Sequence, residues 1–211
     1  MKNIAIYGAG GFGRETALLI QQINEQNPSW NIRGFFDDGL KKGSEVDELP
    51  ILGGMEEAKN HNTPMVIAVA DPATRKNIAA QLQDKAFPIL AHPLAQLGST
   101  KFNTIARGCI ITAGVILTTH IVLEEFCIIN LDTTVGHDVS VGAYSTIMPG
   151  CSISGNVKMG QGVLLGTGAR MLQKVSIGDH ATIGAGAVVT KPCPPGETWV
   201  GVPAMAMKKS K

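Results

Sequence analysis

The chain has 211 residues, room for one large or two small domains, each with its own core. Its 18 Lys and Arg stand against 17 Asp and Glu, so bulk electrostatics select neither a nucleic acid nor an acidic membrane as partner. Residues 1–6 run straight into a strand-like segment with no leader pattern, and no apolar run approaches a membrane span, so the expected location is cytoplasmic.

Residues 1–90 read as a small α/β domain. A strand is expected over Lys2–Tyr7, a helix from the glycine run to about Gln26, and a second strand over Ile32–Phe36 that ends in Asp37-Asp38. A helix at Glu56–Asn60, a strand at Met65–Ala70 and a helix at Ala73–Gln83 complete a βαβαβ parallel unit. Gly8-x-Gly10-x-x-Gly13 matches the dinucleotide fingerprint, and Asp37 lies roughly where a ribose-binding acid follows it. The motif alone suggests NAD, but only one mononucleotide-binding half fits before the chain changes character. Free N–H groups at a helix start bind any phosphate, so a nucleotide-linked substrate fits as well. A glycine turn used only for packing is the plain alternative. Ala91-His92-Pro93 and the stretch to Thr104 form a junction, with His92 structural and His61 in a polar loop.

From Ile105 the sequence counts in sixes. Every hexad from Ile105 through Val189 opens with an aliphatic residue or Met, and its fifth residue, except Ile121, is no larger than Val. The second residue is often glycine, as at Gly136, Gly142 and Gly160. A period of six does not keep one face on a helix of 3.6 residues per turn, so the pattern means flat faces of six residues. The large aliphatic points inward and the small residue fits where the wall bends. Fifteen hexads make five three-sided coils, roughly 24 Å of stacked strands at about 4.8 Å per coil. No coil buries its own aliphatics, so stacking supplies the core. Residues 91–211 are therefore expected to form a parallel β-helix. Cys109, Cys127, Cys151 and Cys193 all take fifth positions, which reads as interior packing and not as a disulfide, metal or catalytic set.

His137 stands out among five histidines. It takes the third position of Val135-Gly136-His137-Asp138-Val139, which projects outward, beside a carboxylate. Neutral imidazole can take a proton from an amine or hydroxyl near pH 7, and an adjacent Asp can fix its tautomer. A surface His-Asp pair with no function is the plain alternative. His120 and His180 fall at fourth positions, as solvated turn residues.

Gly-x-Gly-x-x-Gly-Arg-Glu, Phe-Phe-Asp-Asp, unbroken hexads with Gly-His-Asp-x-x-x-Gly, and a closing Thr-x-x-Gly-Val-Pro-Ala together resemble one group over Lys2–Met207. It is the sialic acid O-acetyltransferase (NeuD) family, which includes nucleotide-sugar N-acetyltransferases. The resemblance implies left-handed β-helices assembled as a homotrimer, acetyl-CoA as co-substrate in the groove between subunits, and a sugar or nucleotide-sugar held by the N-terminal domain. Position by position it implies His137 as general base and Asp138 as its orienting partner. Asn130 would face the acceptor sugar. Gly10, Gly11 and Phe12 would meet the nucleotide, with Asp37 and Asp38 on its uridine or ribose. Thr146, Thr167 and Ala185 would contact acetyl-CoA. Thr146 stands where some members place His, and Phe12 where some place a polar residue, which bears on the acceptor sugar. The implied chemistry is direct acetyl transfer, N- or O-, to a sugar that is expected to be a nucleotide-linked amino sugar, and it requires no metal. An NAD-dependent oxidoreductase or a non-catalytic scaffold are the rival readings.

Overall fold

The computed structural model describes residues 1–207, which fall into two compact units, Met1–Pro93 and the segment from Leu94 onward. The first unit ends three residues beyond the expected limit because His92 is buried and its Nε2 lies 3.1 Å from Gln22 Oε1, within that unit.

The first unit contains β1 (Lys2–Tyr7), α1 (Gly11–Gln26), β2 (Trp30–Phe36), β3 (Glu45–Val46), β4 (Leu49–Gly53), α2 (Met55–Asn60), β5 (Met65–Ile67) and α3 (Pro72–Gln81). The sheet order is β3-β4-β2-β1-β5, parallel except for β3 against β4. Ile4, Ala5 and Ile6 are fully buried, as a central parallel strand with both faces covered requires. The chain leaves β1 toward β2 on one side and returns as β5 on the other. The carboxyl end of β1 is therefore the switch point at which such sheets bind ligands.

The third expected strand stops at Ile67, because Arg75 Nη1 takes the carbonyls of Val69 at 2.6 Å and Ala70 at 3.1 Å away from any ladder. Asp71 then caps α3, its Oδ1 accepting from Thr74 N at 2.8 Å with Pro72 following. The hairpin of β3 and β4 was not foreseen, so the sheet has five strands and not three. Its two-residue turn is Asp47-Glu48, at φ 46° and 64°, with Glu in place of the Gly that completes the usual Asp-Gly signal.

The second unit is a left-handed parallel β-helix. Short strands stack on three faces, each paired with the strand 18 residues on, such as Val122 with Ser140, Ile128 with Thr146 and Thr134 with Ser152. Of the hexad-opening residues, all but Ile105 are buried, and so is every fifth-position residue. The fourth residue turns each corner with φ near +60°: six of these turns use glycine, and His120 and His180 are among the rest at 57° and 58°. Polar fifth-position side chains are satisfied by the next coil. Ser145 Oγ donates to Gly160 O at 3.0 Å and Cys151 Sγ to Gly166 O at 3.3 Å.

The unbroken count of fifteen hexads needs one correction. Cys193 pairs with Ile177, only 16 residues back, and Thr198 with Thr182. Pro192 would have been the fourth-position turn residue, and its ring forbids positive φ. The hexad opened by Val189 is therefore two residues short. Cys193 occupies an inward, hexad-opening place in a sixth coil, where it is 3% exposed.

Candidate active site

At the switch point of the first unit, the four glycines of the loop separate into two kinds. A Cβ on Gly13 would collide with the carbonyl of Gly8, and one on Gly8 would meet Ala68 O at 2.9 Å with φ already at +102°. Packing explains those two. A Cβ on Gly10 or Gly11 would meet nothing within 4 Å. Gly10 caps α1 without a side-chain hydrogen bond, so the first N–H groups of the helix face open space. Phe12 is half-buried beside them, its carbonyl accepting from Thr16 Oγ1 at 2.7 Å.

Asp37 and Asp38 are already engaged. Asp37 Oδ2 accepts from Ala9 N and Oδ1 from Gly39 N, both at 2.9 Å, which clamps the glycine loop to the end of β2. Asp38 Oδ1 accepts from Met55 N at 2.7 Å at the start of α2, and Oδ2 accepts from Tyr7 Oη–H at 2.6 Å. Burial pushes the Tyr7 hydroxyl well above its usual range. Its hydrogen bond to Asp38 and the charges of Asp38 and Asp37 act the same way. Tyr7 therefore stays a donor. Each carboxylate oxygen keeps a further lone pair for a ligand, but the two acids also build the loop.

On the β-helix, His137 lies at the corner that follows the third face, half exposed beside Asp138. His137 Nδ1 and Asp138 Oδ2 are 2.7 Å apart, and Asn156 Nδ2 of the next coil lies 3.5 Å from the same nitrogen. A carboxylate accepts only, so Nδ1 carries the hydrogen toward Asp138, and Asn156 cannot donate to it. In the neutral ring the lone pair then lies on Nε2, where a general base would need it.

The other expected residues lie at a different corner. Thr167 and Ala185 are exposed at equivalent positions of successive coils, where Gly186 N donates to Thr167 O at 2.8 Å. Asn130 approaches the same corner two coils earlier, but it is 5% exposed and its Oδ1 accepts from Thr112 Oγ1 and Leu131 N. Thr146 is fully buried, so its side chain does not reach a surface groove within one chain. The structure thus joins His137 to Asp138 and Asp37 to the glycine loop. It leaves the Thr167–Ala185 corner one full face away from the base. Sequence reasoning missed Tyr7 and Asn156, although a count of 18 from Asp138 reaches the second of these. Among the described residues no cluster of His, Cys, Asp and Glu could hold a metal ion, and no helix is long and apolar enough to cross a membrane.

A β-helix with a base-competent His on one corner, preceded by a Rossmann-like unit with an open glycine loop, has the build of a hexapeptide-repeat transferase. Residues 3–82 match the PglD N-terminal domain, and residues 156–191 match the bacterial transferase hexapeptide (six repeats). The chain is 33% identical to GDP-perosamine N-acetyltransferase of Escherichia coli O157:H7, covering 100% of this chain and 98% of that protein. It is also 33% identical to serine acetyltransferase of Escherichia coli K12, but over 64% of this chain and 45% of that enzyme. The acetyltransferase domain of PglB from Neisseria gonorrhoeae, solved with acetyl coenzyme A, superposes with a TM-score of 0.88 at 29% identity, covering 98% of this chain and 99% of that one. The chain belongs to the hexapeptide-repeat acetyltransferases that carry a PglD-type N-terminal domain.

Proposed function

We propose that the protein transfers the acetyl group of acetyl-CoA to the amine of a nucleotide-linked amino sugar, with His137 as general base. The observation that carries this reading is the 2.7 Å contact between His137 Nδ1 and Asp138, which in the neutral ring puts the lone pair on Nε2 at an exposed corner. The neutral sugar amine attacks the thioester carbonyl carbon while His137 Nε2 takes its proton. Backbone N–H groups stabilise the oxyanion, the C–S bond breaks, and the imidazolium returns the proton to the departing thiolate. Asp138 holds the ring and balances its charge in between.

The nucleotide is proposed to lie on the first unit. Gly10 and Gly11 leave the start of α1 bare, and a diphosphate can come close to its N–H groups. Phe12, Asp37 and Asp38 border that site, and Asn130 faces the sugar. Acetyl-CoA follows the corner of Thr167 and Ala185, with Thr146 contributing only through the wall behind it. Since base and donor corner are a full face apart in one chain, the complete site is proposed to form between subunits of a homotrimer. With acetyl-CoA as donor, the reaction is proposed to be cytoplasmic. O-acetylation of sialic acid, the reading closest to the NeuD resemblance, is the second candidate. The amine is favoured because the full-length relative is an N-acetyltransferase.

Thiol release from acetyl-CoA, measured against UDP-, GDP- and dTDP-linked amino sugars and free sialic acid, tests both. An amino-sugar nucleotide is expected to be turned over, and His137→Ala is expected to cost roughly a hundredfold or more while the protein stays folded. Turnover of sialic acid alone selects the second candidate. A fully active His137→Ala removes the base assignment.

A further inference from the structure

Gly155 follows His137 by one coil and takes the same third position. It is not among the residues with positive φ, so its backbone would accept an alanine without strain. What a side chain would meet there is specific. A Cβ on Gly155 would lie 2.5 Å from Nε2, 2.6 Å from Cε1 and 2.9 Å from Cδ2 of His137, its three nearest neighbours. Gly162 stands in a like relation to the ring of His180, at 2.5 Å from Nδ1, but there φ is +63° and the turn itself calls for glycine. A Cβ on Gly136 would meet Gly155 N at 2.8 Å and Ser154 C at 3.0 Å, backbone atoms that explain it by coil stacking alone. The three distances at Gly155 are nearly equal, so the imidazole lies with its face over Gly155 and its Nε2–Cε1 side nearest, in the space that the missing side chain leaves. Asp138 holds the ring in its own plane through Nδ1.

We propose that Gly155 is a positioning residue for the base: the coil beyond His137 omits a side chain so that the imidazole, tethered by Asp138, can lean on the wall of the β-helix with Nε2 at a fixed place. This rests on the reading of His137 as the base. A ring held only by a hydrogen bond at Nδ1 turns about its side-chain torsions, whereas a ring held there and backed by a wall against its face keeps one orientation, with Nε2 pointing along the surface. Backbone holds Gly155 itself in place, since its carbonyl accepts from Lys174 N at 3.0 Å. A methyl group at residue 155 would expel the ring and not the wall, because the ring is the movable partner.

Four proteins test this: the unaltered chain, Gly155→Ala, His137→Ala and the double variant. Each is assayed for kcat, for KM of acetyl-CoA and of the best amino-sugar nucleotide, and for melting temperature. Gly155→Ala is expected to fold and to lose roughly a hundredfold in kcat, the scale of an ångström-sized misplacement of a catalytic group, with both KM values little changed. In the His137→Ala background the same substitution is expected to cost nothing further, because the group that it displaces is gone. If Gly155→Ala proves unstable, that loss must vanish in the double variant, since removing the ring empties the space. Gly155→Ala with normal kcat overturns the inference while an inactive His137→Ala leaves the base assignment standing. A loss of kcat or stability of equal size in both backgrounds also overturns it. An active His137→Ala refutes the base assignment itself, and with it the function proposed for Gly155.

Discussion

At φ +58° Asp138 turns the chain at the same corner at which its carboxylate holds His137 Nδ1, so an alanine there perturbs backbone and base together. Asparagine separates the two. It is tolerated in the left-handed region nearly as well as aspartate, and it keeps an oxygen for Nδ1–H but loses the charge that balances the imidazolium. Asp138→Asn is expected to keep its melting temperature within about 2 °C while kcat falls roughly ten- to a hundredfold, read from a thermal melt and thiol release. A fall in stability with unchanged kcat would assign Asp138 to the turn alone. The cysteines make an opposite case, in which reactivity is suppressed. Burial pushes the Cys151 and Cys193 thiols up to about 11, and Cys109, Cys127 and Cys151 donate to carbonyls of the following coil. The thiolate is the reactive form, so at pH 8 nearly all of Cys151 and Cys193 stays as unreactive thiol. Titration of the native protein with a disulfide reagent is expected to be slow, and denaturant is expected to release all four. Rapid native labelling with loss of activity would place a thiol in the site.

Elements differ in how openly they are written in the sequence. The β-helix was legible because one rule, large inward and small at the bend, repeats with fixed spacing; its failure at Pro192 was not, because the need for positive φ at each fourth residue shows only in the structure. The hairpin of β3 and β4 was hidden because Glu48 stands at the second turn position, where the Gly of an Asp-Gly turn would have marked it. The division of the glycine loop was hidden for a different reason. Gly8 and Gly13 meet residues that only the fold brings near, while Gly10 and Gly11 meet none, and the letters are the same. This yields a prediction at the level of α1. Gly13→Ala is expected to unfold the first unit or lower its melting temperature sharply, because its Cβ would enter the carbonyl of Gly8. Gly11→Val meets no such obstacle, so it is expected to fold and to raise KM for the nucleotide sugar far more than KM for acetyl-CoA. Equal effects on both substrates would count against a nucleotide at this loop. The opening of the β-helix is held by a side chain with no repeat signature. Asn103 Oδ1 accepts from Ile121 N at 2.9 Å, and Nδ2 donates to Leu97 O at 2.8 Å and Thr118 O at 3.1 Å. Asn103→Leu leaves the buried Ile121 N–H and two part-buried carbonyls unpaired and is expected to cost about 1–3 kcal/mol in chemical denaturation, against under 1 kcal/mol if water replaces the amide.

On the proposed assignment of the base to His137 and of acetyl-CoA to the Thr167–Ala185 corner, one chain does not make a complete site. His137 turns the corner after the third face. Thr167 and Ala185 turn the corner before it, with the strand that includes Thr134–Val135 spanning one such face between the two columns. An extended path of that length, at about 3.3 Å per residue, sets the columns apart by more than the reach of an acetyl group from its thioester. Neighbouring copies in a closed ring can bring the base column of one against the donor column of the next, a heterologous contact that a threefold axis closes. Two variants that are each inactive for different reasons decide whether this happens. His137→Ala lacks the base, and Ala185→Trp fills the donor corner, where residue 185 is exposed and a large side chain burdens the ligand and not the core. Each is expected to be nearly inactive alone. When the two are unfolded, mixed in equal amounts and refolded together, random assembly gives about a quarter of the interfaces an intact base facing an intact donor corner, so close to a quarter of the normal activity is expected to return. The same mixture assembled from separately folded trimers is the control and is expected to stay inactive. If co-refolded protein also stays inactive while forming trimers, each chain holds base and acetyl-CoA within itself, and the site between subunits is wrong.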